Sequence, residues 1–105
     1  MGKYDEVELQ GTARSEALAA VHKQIEAWGL TMPPVDPICL HFGLNVFFQA
    51  GETEFWVANE ADHGYCGKFL FVFGDQTCPH HCHRMKHETF FVVKGQIRMK
   101  TDDGE

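Results

Sequence analysis

Residues 74–95 read GDQTCPHHCHRMKHETFFVVKG. Four of the chain's seven histidines, His80, His81, His83 and His87, fall in its middle. His81 and His83 stand two apart, so on an extended strand both imidazoles point to the same side. Glu88 heads the apolar run that follows. A tight turn through Arg84–His87 folds Glu88 back beside the two histidines. Two neutral nitrogens and one carboxylate then meet at one point. Such a donor set suits a divalent cation with positions left open for water or substrate. Mn, Zn, Fe, Co and Ni all accept these donors, so the spacing does not choose among them. His80 and Cys82 alternate to the opposite side and have a structural role. His87 points away from Glu88 into solvent. A zinc knuckle built on Cys78, Cys82 and a histidine is the competing arrangement, but it lacks a second ligand pair at a workable distance. The bland alternative is a solvated strand on which histidines two apart fall by chance.

The flanking sequence has strand grammar. Thr53–Asn59, Tyr65–Phe73, Thr89–Lys94 and Gln96–Thr101 are rich in aromatic and β-branched residues, with Gly51, Gly64, Gly74 and Gly95 between them. Phe69, Phe71 and Phe73 alternate with Leu70 and Val72, so both faces of that strand are apolar. One face can line a barrel interior, and the other needs cover from the N-terminal segment or a second subunit. Asp103-Gly104 reads as a hairpin turn whose returning strand is missing. Upstream, Leu18, Val21, Ile25 and Trp28 recur at helical spacing, predicting a helix from about Arg14 to Trp28. Gly29 sits at its C-terminus, and Pro33, Pro34 and Pro37 forbid continuation. This helix is expected to pack on the domain and carry no chemistry. The first dozen residues show no period and read as a flexible arm. The chain thus divides into an arm and helix over 1–43 and a β-rich portion over 44–105.

The composition narrows the function. At 105 residues there is room for one domain, and 44% apolar with 23% charged residues is ordinary for a folded globular chain. A formal charge of −6 gives no grip on phosphate backbones or anionic lipid, so nucleic-acid and membrane-surface binding are not expected. No apolar run is long enough to cross a bilayer, and no basic-then-apolar N-terminus is visible, so a cytoplasmic protein is expected. Cys39, Cys66, Cys78 and Cys82 form no CxxC pair and read as mostly reduced and buried.

Gly74, the His81-x-His83 pair, Glu88 and Gly95 resemble, in order and approximate spacing, the first motif of the cupin superfamily. The gap from Gly74 to His81 is six residues where the motif usually has five. The resemblance covers about 22 of the 105 residues. It implies a mainly β fold: a cupin-type (jelly-roll) β-barrel, incomplete here, with one N-terminal α-helix. Inside the motif, His81-x-His83-x-x-Lys86-x-Glu88 resembles the metal motif of cupin-type D-lyxose isomerases. That likeness implies His81, His83 and Glu88 as metal ligands, manganese foremost, Lys86 as the acid/base residue, and a small sugar as substrate.

The implied chemistry is coherent. Aldose–ketose isomerisation through an enediol needs a cation to polarise the sugar's oxygens and a base to move a proton between adjacent carbons. A lysine beside a divalent cation has its pKa pushed down, so a neutral amine becomes available near neutral pH. A second acid/base carboxylate is expected, and the sequence does not point to one. Glu54, Lys68 and Arg98 read equally well as pocket residues or surface charges. The same two histidines and carboxylate also suit Fe(II) in a cupin dioxygenase, though oxygen activation has no evident use for Lys86. A non-catalytic metal- or sugar-binding module is the other alternative. Only ten residues follow Gly95, too few for the second cupin motif with its further histidine ligand. The expectation is therefore either the front portion of a longer protein or a barrel completed by another chain, as in a strand-exchanged homodimer.

Overall fold

The structure, a computed structural model, describes residues 7–79 and 88–100. The apolar stripe read from the sequence becomes helix α1, Gly11–Ala27, which starts three residues before the pattern does. Its buried seam is Ala17, Val21 and Ile25, spaced one turn apart. Leu18 is only half-buried, and Trp28 tilts against Phe71 with ring centroids 5.7 Å apart. The helix ends as expected: Trp28 N–H donates to Gln24 O, Gly29 N–H donates to Glu26 O, and Gly29 adopts φ +71°. Arg14 ties the helix to the following loop through Asp36 at 2.6 Å and the Pro37 carbonyl at 3.0 Å.

Three strands follow: β1, Ile38–Leu40; β2, Glu52–Glu60; and β3, Tyr65–Phe71. They form one antiparallel sheet in the order β1-β2-β3. Cys39 pairs with Thr53, and Phe55 with Phe69. A β-bulge lies between Trp56 and Ala58. A 3-10 turn, Ala61–His63, links β2 to β3, and Gly64 closes it at φ +81°. No helix among the described residues is long and apolar enough to cross a membrane.

The core lies between α1 and one face of the sheet. Val21 and Ile25 pack with Phe55 and Phe71, while Ala17 packs with Cys39 and Phe47. Phe71 and Phe73 meet edge to face at 4.9 Å and join the two groups. Gly51, at the entry to β2, is required by close packing: a Cβ there would lie 2.5 Å from the Phe47 carbonyl oxygen and 2.8 Å from that of Leu40.

Several expectations change. Residues 7–9 are no free arm, because Leu9 N–H donates to Cys39 O and His41 N–H donates to Val7 O, lining the outer edge of β1. The sheet therefore begins within 1–43. The strand read as Tyr65–Phe73 ends at Phe71. Over the described part of Thr89–Lys94 and Gln96–Thr101, residues 89–100, no strand forms, and this stretch is exposed. A strand exists only against a partner that completes its backbone hydrogen bonds, and β3 offers its outer edge to none of these residues. Among the described residues the architecture is thus a three-stranded antiparallel sheet with one helix, and no closed barrel. Asp103-Gly104 lies outside the described residues. Cys39, Cys66 and Cys78 are free thiols as read, but only Cys39 is buried.

Candidate functional site

Strand β2 opens ETEFW, and the alternation of a strand sends Thr53 and Phe55 toward α1 and Glu52, Glu54 and Trp56 to the other side. On that second face Trp56 pairs with Lys68 of β3, and Leu40 of β1 pairs with Glu52. A polar face on a two-layer domain normally meets water. Here Glu52 and Glu54 are only 8% and 5% exposed.

The four polar residues satisfy one another. Lys68 Nζ lies 2.8 Å from Glu54 Oε2, and Trp56 Nε1 donates to Glu54 Oε1 at 3.2 Å. The Lys68 ammonium also sits 4.6 Å from the Trp56 ring centroid, a cation–π distance. Glu52 hydrogen-bonds to the Glu54 carboxyl. Burial, then that hydrogen bond and the neighbouring Glu54 charge, pushes the Glu52 carboxyl up to about 8, against a smaller opposing pull from Lys68. Near neutral pH Glu52 is therefore a hydrogen-bond donor.

The segment quoted at the outset leaves the sheet beside this face. Gly51 N–H donates to Thr77 O and Thr77 N–H donates to Gln49 O, a short parallel bridge. Gln76 fastens the approach by accepting from Phe73 N–H and donating to Phe47 O. Thr77 beside Gly51 brings Cys78 to Glu52. Although Cys78 is exposed, partial dehydration and then the charges of Glu52, Glu54 and Glu88 push its thiol up to about 11. Glu88 also helps to raise Glu52. The two residues that flank the histidine run, Cys78 and Glu88, thus feel each other and the same sheet face.

Of the residues read as functional, His81, His83 and Lys86 lie outside the described residues, and Glu88 is described and exposed. Among the described residues no three His, Cys, Asp or Glu side chains group as metal ligands. Two of the three expected ligands are not among those residues. Lys68 and Glu54, left open between pocket and surface, are an enclosed ion pair, and Arg98 is exposed. Glu52 and Trp56 were not singled out from the sequence. The signal was Glu-x-Glu-x-Trp in a strand, but alternation alone assigns such residues to solvent. A separate groove of about 430 Å³, lined by residues including His22, Met32 and Phe55, lies on the helix side.

Compared with known proteins, the chain matches no family model, no curated protein and no solved structure.

Proposed function

We propose that the chain carries the metal-binding half of a cupin-type β-barrel and is a cytoplasmic, divalent-metal-dependent aldose–ketose isomerase of the D-lyxose/D-xylulose type. One observation supports this most: Cys78 and Glu88, on either side of the histidine run, interact electrostatically with each other and with Glu52. A run whose flanks return to one place can deliver His81, His83 and Glu88 to one point. The flanks Cys78 and Glu88 lie within electrostatic reach of the enclosed polar face. Two imidazoles and a carboxylate suit Mn and its neighbours. A cation held there supplies polarisation of the sugar's carbonyl and hydroxyl oxygens. Lys86 moves the proton between adjacent carbons, and the sheet face excludes bulk water from one side of the enediol.

The test is metal analysis of purified protein after incubation with Mn, paired with pentose turnover. Wild type is expected to hold near-stoichiometric metal and His81→Ala to lose it. Lys86→Ala is expected to keep the metal and lose interconversion of D-lyxose and D-xylulose. Wild type without metal, or Lys86→Ala with undiminished turnover, overturns the reading.

The same reading includes a homodimer. Phe91, Val93 and Ile97 stand 86%, 53% and 46% exposed, and β3 has no strand at its outer edge among the described residues. Open edges and apolar residues of this kind are covered when strands are exchanged between copies. Light scattering after gel filtration is expected to give twice the chain mass. A folded monomer at micromolar concentration contradicts it.

A further inference from the structure

Residues 89–100 are at once apolar, basic and uncovered. Phe90, Phe91, Val92, Val93, Ile97 and Met99 are each a large apolar side chain, from 44% exposed at Val92 to 86% at Phe91. The charges in this stretch are Lys94, Arg98 and Lys100, all basic, whereas residues 7–79 hold nine acidic and three basic residues, a net −6. Such a stretch fits a surface that is apolar and acidic.

The outer edge of β3 is a surface of that kind. It carries no strand among the described residues. Phe69 and Leu70 alternate to opposite faces and are 37% and 40% exposed, so a strand joining this edge needs apolar residues on both of its sides. The stretch TFFVVK, 89–94, has them, with Phe91 and Val93 on one side and Phe90 and Val92 on the other. Charge sets its direction. Glu60 and Asp62, both exposed, lie at the Tyr65 end of β3, against Asp75 alone beyond the Phe71 end. Lys68, the cation of β3 itself, is already paired with Glu54. Lys94 reaches the more acidic end when the added strand runs antiparallel to β3. Lys94 opposite Cys66 then sets Phe90 opposite Leu70.

Within one copy the stretch and the edge do not meet. Glu88, just before the stretch, interacts instead with Glu52 and Cys78. Two copies related by a twofold axis cover both surfaces, because each supplies one stretch and one edge and the pairing closes. We infer that residues 89–94 of one copy add to the outer edge of β3 in a second copy as an antiparallel strand, with Lys94 opposite Cys66. The inference rests on the homodimer proposed above and names the surfaces that meet in it. It draws on neither the metal nor the sugar.

Directly opposite residues on antiparallel strands are close enough for a disulfide, and Cys66 is a free, exposed thiol. Lys94→Cys, in a Cys78→Ser, Cys82→Ser background, is therefore oxidised and run without reductant. A species of twice the chain mass is expected, with peptide mapping placing its bond between Cys66 and position 94. Lys100→Cys in the same background lies outside the paired stretch and is expected to stay largely uncrosslinked. Phe91→Asp should leave the circular dichroism unchanged and raise the dimer's dissociation constant about tenfold or more, as loss of a central aromatic contact does. A bond between Cys66 and position 94 of the same chain overturns the inference. So does a dimer that lacks this bond or that Phe91→Asp leaves intact, and the homodimer then rests on other surfaces. A folded monomer of the unaltered chain at micromolar concentration removes the homodimer and the pairing together.

Discussion

Phe55→Ala is expected to lower the unfolding free energy by about 3–5 kcal/mol, enough to consume much of a small domain's stability. Phe55 is 1% exposed and is the largest of the fully buried side chains among the described residues. It stands in the middle of β2, where it meets Val21 and Ile25 of α1 on one side and Phe71 of β3 on the other. His22 also meets it edge-on, with centroids 6.1 Å apart. Truncation removes the ring's transfer free energy and leaves a cavity between a helix and a sheet. Neither can collapse freely, because β2 is held on both edges by hydrogen bonds. Phe69→Ala is the control. It sits opposite Phe55 in the β2–β3 register but is 37% exposed, and its loss should cost far less. Urea denaturation followed by circular dichroism checks both. Equal costs for the two, or a loss below about 1 kcal/mol for Phe55, would place the core elsewhere.

The contrast between these two phenylalanines also shows where sequence reasoning reaches. The period of α1 was legible because Val21 and Ile25 repeat on one side, and Gly29 with the prolines marked its end. The cores of β2 and β3 were legible because aromatic and β-branched residues cluster there. Which phenylalanine the helix covers was not, since Phe55 and Phe69 are cross-strand partners on one face and differ only in how far α1 reaches over them. Pairing of residues 7–9 with β1 was also hidden. Backbone hydrogen bonds such as Leu9 N–H to Cys39 O leave no side-chain pattern. At the site, the histidine run announced itself by composition. Glu52 and Glu54 did not, because Glu at alternate strand positions ordinarily means solvent, and their enclosure depends on Leu40, Lys68 and the segment through Cys78 arriving beside them.

That enclosure leads to the second large effect, a stability that falls as pH rises. The Glu52 carboxyl titrates near 4.5 when free and at about 8 in the folded chain. Below the lower value both folded and unfolded chains hold the proton, and Glu52 contributes no pH dependence. Between the two values the unfolded chain releases the proton while the folded chain keeps it. The folded state therefore loses ground with rising pH, by at most about 1.4 kcal/mol per pH unit. Above the upper value both forms are ionised and the loss levels off. Glu52→Gln removes this dependence, since an amide cannot ionise yet still donates to Glu54. The variant should match wild type near pH 4 and exceed it by several kcal/mol at pH 8.5, a difference curve from which other titrating groups cancel. Urea midpoints measured in chelator across that range supply it. Lys68→Met should carry the fall on to higher pH without steepening it, because Lys68 favours an ionised Glu52. Parallel curves for wild type and Glu52→Gln would mean that Glu52 reaches water in the folded chain. Diverging curves mean that the chain keeps a carboxyl group at a cost to its own stability near neutral pH.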